Sequence, residues 1–415
     1  MRVAVIGGGL TGLTAALKLC QKKHQVTIFE KENYLGGLAG TFKQNNWQWP
    51  LEFFYHHLFT SDKEVQNLLN NLGLGKKLFF KQPKTSIFGQ EKIYRFDSPL
   101  SLLKFPHLNL FDKLRAGLVT LFLKFIPNLA SFEKIKAAGW LSKNYGSKVY
   151  KLLWEPLLKA KFGKDYKDIA LSWFWTRIKK RSQSLGYLQG SLQILTDKLV
   201  NEIKKQKGEI KTNNEIKNLD QLKGFEKIIF TIPTDSFLKI TKRELPLAEQ
   251  KKLATLKMSG TANLIMVLKK SFLTDDTYWL NVNENNFPFV AVVQHTNFID
   301  KKHYDQKEIL YVGGYYSQDH PYFKISKEKI LAQFLPYLKK INPNFKKTDI
   351  LNYHLFANPN AQPTRTINYI DRLPTIKTPL KNVFLANMQQ IYPQDRGVNY
   401  AIQLGLKVAD VVSQS

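Results

Sequence analysis

The sequence predicts an α/β protein: a Rossmann-type nucleotide-binding unit, joined to an α+β part with a mixed or antiparallel sheet and a helical portion. Three observations carry this. Val3–Ile6 is a short apolar run that leads into Gly7-Gly8-Gly9. A second apolar run, Val26–Phe29, ends on the carboxylate of Glu30. Strand-like runs then gather between residues 261 and 317, after a helically patterned stretch over 98–184. At 415 residues the chain is long enough for two domains. Its hydrophobic fraction of 43% suits a folded protein rather than a disordered one.

The first unit follows residue by residue. Val3–Ile6 carries no polar side chain, which suits a parallel strand covered on both faces. Gly7, Gly9 and Gly12 fit G-x-G-x-x-G, with Leu10 and Thr11 inside the motif. The three glycines serve a tight turn, close backbone approach to a pyrophosphate, and close packing of helix on strand. Leu13, Ala16, Leu17 and Cys20 recur at helical spacing, and the helix N-terminus offers oriented N–H groups to phosphates. Glu30 follows Gly12 at about the 20-residue distance of a carboxylate that takes ribose hydroxyls. This order predicts a bound dinucleotide and leaves NAD and FAD both open.

Lys31 then leads into Leu35-Gly36-Gly37-Leu38. A glycine doublet just past the ribose acid lets the chain run close beside a longer cofactor. Here the sequence resembles the FAD-dependent amine oxidase superfamily, which includes protoporphyrinogen oxidases, carotenoid desaturases and, more distantly, UDP-galactopyranose mutase. The resemblance implies FAD, with Gly7, Gly9, Leu10, Thr11, Gly12, Glu30, Lys31, Gly36, Gly37 and Leu38 in its site. Many relatives carry an Arg beside the doublet, where this chain has leucines.

The resemblance continues at the C-terminus. Asn382–Ala386 reads as a last strand, and Asp395-Arg396-Gly397-Val398-Asn399 opens a helix over Ile402–Val412. It implies that this helix N-terminus, with Asn387, Asp395, Gly397, Val398 and Asn399, faces the flavin and its ribityl chain. Asn387 stands where many relatives have an acid, and Asp395 equally suits a helix N-cap. Mid-chain, Gly186–Ser191, a helix over Leu192–Ile203 and the following Gly208–Thr212 match the superfamily's return to the cofactor domain, which puts Ile210 by the adenine. A bacterial subgroup of unsettled substrate is resembled more closely, through Glu52–Asp62, Trp154–Leu158, Gln294–Phe298 and Ala386–Pro393. The implied FAD-binding domain is discontinuous, 1–80, 185–245 and 376–415; residues 81–184 and 246–375 form the substrate domain.

In that second part, Thr261–Val267, Phe289–Val293 and Ile309–Val312 read as strands of a sheet that roofs the flavin, and Lys327–Ile341 as an amphipathic helix. Trp173, Phe174 and Trp175 read as core. Phe111–Ile126 is an apolar helix flanked by Lys and Arg, too short and too charged to span a bilayer. A core-facing role is the favoured reading. The other is a helix lying in one leaflet of an anionic membrane.

The charge balance is basic, 62 Lys and Arg against 33 Asp and Glu. The cations form no single stripe and accompany no zinc-finger or ribonucleoprotein motif, so nucleic acid is not an expected partner. The single cysteine, Cys20, excludes an intrachain disulfide and any multi-cysteine metal site. Met1-Arg2 runs directly into the first strand without a signal-peptide pattern, so a cytoplasmic location is expected, with the inner membrane face as an alternative. No metal is expected.

Candidate chemistry centres on three loops. The resemblance puts Tyr55-His56-His57 beside the flavin ring, where a histidine titrating near neutral pH moves a proton. His295 and Asn297 point polar groups at the substrate, and Tyr392 walls it. The implied activity is hydride transfer to flavin N5 from a hydrophobic or amphipathic substrate: an isoprenoid, a porphyrin-like ring or an amine. Oxygen, a quinone or another acceptor reoxidises the flavin. The alternative is a non-redox flavoenzyme on a nucleotide sugar, like UDP-galactopyranose mutase, with Arg365, Arg372 and Arg396 as diphosphate ligands. A flavin-binding scaffold without turnover is a third reading.

Overall fold

The computed structural model describes residues 1–127 and 130–415. Asn128 and Leu129, inside the stretch expected to be helical, lie outside the described residues. Five parallel strands form one sheet, in the order Glu209–Lys211, Gln25–Phe29, Arg2–Ile6, Lys227–Phe230, Val383–Leu385. The unbroken apolar run of the first strand has a simple cause. Val3 and Val5 face a core shared with the helices Leu10–Gln21, Gln193–Lys205 and Val398–Ser413. Ala4 and Ile6 face the opposite core, with Phe230, Phe237 and Leu253. With both faces covered, alternate residues have no reason to be polar. Cys20 lies buried in the first of these cores, and burial pushes its thiol up to about 11.

The second sheet is mixed and seven-stranded: Ile350–Pro363, Met258–Leu268, Glu308–Ser317, Ala291–Gln294, Thr277–Val282, Lys84–Gly89, Lys92–Arg95. Its pairs are antiparallel except Thr277–Val282 on Lys84–Gly89. All eleven residues of Met258–Leu268 are buried, because that strand has neighbours on both edges and packing on both faces. Leu264, Met266, Leu310 and Val312 meet the Lys327–Ile341 helix, whose bounds are those predicted. Ile265, Val267, Ile309 and Tyr311 face the other way, toward Trp47, Leu51 and Tyr187. By the same alternation Tyr315 shares the face of Tyr311. The 14-residue strand Ile350–Pro363 escaped the sequence reading, since its polar residues show no regular alternation.

The helical part packs Leu110–Phe125, Ala137–Tyr145, Glu155–Phe162 and Leu171–Lys180 around one core that takes in Trp173, Phe174 and Trp175. The favoured core-facing role for the Leu110–Phe125 helix holds for one narrow stripe only. Only Ala116 and Leu123 of it are buried. Leu110, Phe111, Leu114, Leu118, Leu121, Phe122 and Phe125 stand exposed, Phe125 at 77%. The buried stripe is narrow because small and aliphatic positions alone meet the bundle; the larger residues recur on the outer side. Among the described residues no helix is long and apolar enough to cross a membrane.

Candidate active site

The phosphate loop is built by contacts that tolerate no side chain. Gly7 has φ +107°, and its N–H donates to the Phe29 carbonyl at 2.8 Å. A Cβ on Gly12 would collide with the Gly7 carbonyl, so helix and loop approach as closely as backbone permits. Gly9 is the N-cap of the Leu10–Gln21 helix and has no side chain to satisfy the first-turn N–H groups; no acid stands in that turn. These free donors fit a phosphate. Gly36 (φ +98°) and Gly37 (φ +60°) bring the doublet onto the loop: the Gly36 N–H donates to the Gly8 carbonyl at 2.9 Å, and a Cβ on Gly37 would lie 3.2 Å from Gly9 Cα. Leu38 continues as a short turn over this contact.

Glu30 is buried at the end of its strand. Its carboxylate accepts the Gly8 N–H at 2.7 Å and the Glu32 N–H at 3.0 Å. Lys31 points to solvent and pairs with Glu32 at 3.2 Å. Ile210 pairs in register with Ile28, on the strand that ends beside Glu30. Gly397 is the N-cap of the Val398–Ser413 helix, again without a capping side chain. Asp395 is therefore not the cap. Asn399 is buried and its amide oxygen accepts the Val65 N–H at 3.0 Å. Asn387 caps the Met388–Gln390 turn and donates to the Ile232 carbonyl at 3.0 Å and to Thr234 Oγ1 at 3.1 Å. It acts here as a clamp between two loops.

The two helices that open at Gly9 and Gly397 cross at Gly405. A Cβ there would meet the Thr11 carbonyl oxygen at 2.5 Å and Thr14 Cβ at 2.9 Å. This contact sets the two N-termini relative to each other across the cofactor cradle. Gly405 carries no local sequence signal, because its reason lies in a helix that starts nearly 400 positions earlier.

The chain around Asp395 holds an unusual charge set. Asp395 forms an ion pair with Lys161, lies 3.5 Å from Arg365 Nη1, and accepts from Gln362 Nε2 at 3.2 Å. Burial opposes its ionisation, but Lys161, Arg365 and Arg396 outweigh that and hold the carboxyl far below the usual range. Arg365 is fully buried and donates to the Ile391 carbonyl at 2.8 Å. Arg396 donates to Tyr315 Oη at 3.2 Å, and its Nε is buried without a partner among the described residues. Lys161 Nζ sits 5.4 Å from the rings of both Trp173 and Tyr315, and Arg177 stands over Trp173 at 5.8 Å. Burial opposes ionisation of the Tyr315 phenol; Arg396 and Lys161 overcome it and pull the group below its ordinary value.

Arg177 and Arg181 end the Leu171–Lys180 helix on this same side. Burial and the charge of Arg181 lower Arg177 to about 9, and burial lowers Arg181. Arg181 nevertheless keeps an exposed surface. Neither guanidinium has a hydrogen-bonded partner among its influences; Asp395 acts on both only at a distance. Sequence reading missed Lys161, Arg177, Arg181 and Tyr315. The available signal was Arg177 one helical turn after Trp173.

Tyr55, His56 and His57 are half-buried on the loop before Leu58–Phe59. Tyr55 packs edge-on to Trp279 at 4.6 Å and feels Tyr315 and Arg396. His56 meets the Phe54 carbonyl at 2.5 Å through Nδ1; burial and Arg396 lower it to about 4. Burial, His56 and Arg181 lower His57 to about 3, with Tyr278 Oη 3.4 Å from its ring nitrogens. Both rings are therefore neutral at pH 7. Four further residues expected at the site make their bonds within the protein. His295 is buried against Tyr304 Oη at 2.8 Å, and Asn297 donates to the Thr277 carbonyl at 2.9 Å. Tyr392 bonds Ser172 Oγ at 2.6 Å and donates to Glu133, bracing the helical part against the C-terminal loop. Arg372 serves its own short helix through Thr366 and the Ile367 carbonyl. Among the described residues no cluster of three His, Cys, Asp or Glu is placed to hold a metal.

Comparison with known proteins bears on the family and the fold. A zeta-carotene desaturase of Synechocystis sp. is 24% identical over 247 residues, 53% of this chain and 50% of that protein, so the match spans about half the length of that curated relative. The whole chain superposes on 99% of a candidate protoporphyrinogen oxidase from Exiguobacterium sp. 255-15, with a TM-score of 0.76 and 16% identity. It also superposes in full on 96% of reduced UDP-galactopyranose mutase, with a TM-score of 0.74 and 13% identity. At such identities the structural likeness is one of fold. The sequence model of the flavin containing amine oxidoreductases matches residues 10–413. The chain belongs to that family of flavin-containing oxidoreductases.

Proposed function

We propose that this flavoenzyme dehydrogenates a hydrophobic or amphipathic small molecule in the cavity bounded by Tyr55, His57 and Tyr315. The observation that carries the reading is an apolar approach to a partly charged chamber. The exposed face of the Leu110–Phe125 helix ends where Lys124 Nζ donates to the Arg181 carbonyl at 3.2 Å, beside the cavity residues. Bound FAD supplies the hydride acceptor. The chain supplies position and dryness. Tyr55, Trp279, Tyr311 and Phe298 form an aromatic wall that excludes water and orients an apolar body. His57, neutral at pH 7, offers a hydrogen bond without adding charge. The test is spectroscopic: the purified protein is yellow, and its flavin absorbance bleaches on anaerobic addition of an isoprenoid, porphyrinogen or amine that it turns over. A colourless protein that cannot be reconstituted with FAD refutes the reading. Reoxidation rates with oxygen and with a quinone identify the acceptor.

The same helix favours an anionic membrane surface as a partner. Its outer face presents seven large apolar side chains, continued by Leu100 and Leu103, and Lys104 and Lys124 stand exposed at the ends. Such a patch is larger than monomers usually leave to water. Co-sedimentation with vesicles containing anionic phospholipid, lost on Leu118→Asp and weakened by salt, is the expected result. Wild-type protein that stays in the supernatant at low salt removes this reading.

A further inference from the structure

We infer that the substrate is an anionic amphiphile, whose phosphate or carboxylate head is held by Arg177, Arg181 and Arg396 while its apolar part leaves toward the Leu110–Phe125 face. This deepens the proposed function and rests on it.

The charge count is the first ground. Lys161 and Arg365 close on one carboxylate, Asp395; Arg396 is its chain neighbour, and Arg177 shares the Trp173 ring with Lys161, with Arg181 one turn further along the same segment. Lys161 and Arg365 are used: one pairs with Asp395, and the other spends its donors on the Ile391 and Pro363 carbonyls. Arg177 stands over Trp173 at 5.8 Å and Arg396 over Tyr315 at 5.8 Å, neither in an ion pair with a carboxylate among the described residues, and Arg396 retains a buried, unpartnered Nε. A buried guanidinium nitrogen without a partner is costly, so such a set persists where an anion completes it. Arginine forks match the oxygens of phosphate and carboxylate. The pyrophosphate of FAD does not fill this role, because its cradle is the glycine loop that opens the Leu10–Gln21 helix.

Continuity is the second ground. Lys124 Nζ donates to the carbonyls of Ile178, Lys179 and Arg181, and Lys179 Nζ returns a bond to the Lys124 carbonyl at 2.7 Å. These bonds lock the end of the apolar helix onto the end of the arginine helix. Phe122 and Phe125, both exposed, therefore stand next to the segment that carries Arg177 and Arg181. A head of negative charge and a tail of hydrocarbon match the two surfaces in that order.

Titration calorimetry on the FAD-loaded protein tests this with dodecyl phosphate, laurate, inorganic pyrophosphate and dodecanol. Flavin content, measured first, tests the cofactor reading separately. Dodecyl phosphate or laurate is expected to bind at least about tenfold more tightly than dodecanol, and the better of the two identifies the head. Pyrophosphate competing as well as dodecyl phosphate would mean that no tail is recognised and overturn the amphiphile. Arg177→Gln and Arg181→Gln are each expected to weaken the anion roughly tenfold, the scale of one charge-assisted hydrogen bond, with flavin content unchanged. Lys223→Gln, on the remote surface, is expected to leave binding unaltered. The His57 ring, followed by NMR, should titrate higher once the anion is bound. Equal binding of dodecanol and the two anionic amphiphiles by the wild-type holoprotein overturns the proposal, whether or not the variants fold.

Discussion

Gly405→Ala is the sharpest test of how the cofactor cradle is held. The added methyl would sit 2.5 Å from the Thr11 carbonyl oxygen, 2.9 Å from Thr14 Cβ and 3.2 Å from the Ala15 nitrogen. Two of these partners are backbone, so no side chain can swing aside. An ordinary carbon contact is about 3.5 Å, which asks the two helices to separate by roughly 1 Å. Overpacking of this kind costs about 1–3 kcal/mol. The separation acts on both helix N-termini, so it also widens the cradle between Gly9 and Gly397. The expected result is a melting temperature a few degrees lower and weaker FAD binding. Apo and FAD-loaded protein should be melted side by side, with affinity read from quenching of flavin fluorescence. The fall should be larger for the loaded form, since weaker binding removes part of the ligand's own stabilisation. Wild-type melting and wild-type FAD affinity in the variant would refute the reasoning, because they require slack that the packing does not contain.

Asp395→Asn leaves Lys161, Arg365 and Arg396 without their shared anion; it should cost about 3 kcal/mol in urea unfolding and be partly rescued by added phosphate. A change within about 0.5 kcal/mol would show that the cluster is neutralised elsewhere. Stability should fall on acidification. Burial lowers His295 to about 3, so between the unfolded value near 6.5 and that pH the unfolded chain binds the extra proton. The His295 contribution is complete above about pH 6.5 and lost as pH drops, about 2 kcal/mol by pH 5. His56 and His57 act in the same direction. Urea midpoints at pH 7.5 and 5 measure this, and His295→Gln should flatten the slope. Glu30→Gln loses one of two backbone N–H acceptor charges at Gly8 and Glu32, and should reduce FAD affinity about tenfold with little change in the apo melting temperature. An equal loss of apo stability would make Glu30 a structural anchor instead.

Much of the cofactor side was legible in the sequence. The strands at Val3 and Val26, the glycine motif, Glu30 and the doublet Gly36-Gly37 are signals confined to a few neighbouring residues, and the structure assembles them as one loop system. The aromatic core at Trp173–Trp175 was equally plain, since bulky rings at helical spacing need burial. The charge cluster was not. Arg365 and Arg396 were singled out only as diphosphate ligands of the alternative reading, while Lys161, Arg177 and Arg181 lie far from Asp395 in sequence and each alone reads as an ordinary surface cation in a chain rich in them. His295 and Asn297 show the converse: polar residues at a strand end, read as site groups, whose bonds are taken by Tyr304 and by the Leu273 and Thr277 carbonyls.

The sequence by itself determined the α/β class, the dinucleotide loop and the carboxylate that closes it. These depend on backbone geometry and on spacing along the chain, which neighbours in sequence dictate. The tertiary structure alone decided that Gly405 must have no side chain, that the Leu110–Phe125 helix turns most of its large apolar side chains outward, and that Lys161 and Arg365 close on Asp395. Each of these depends on what lies across a contact between distant segments. Periodicity shows that a helix has an apolar side; only the packing of its neighbours shows whether protein covers it.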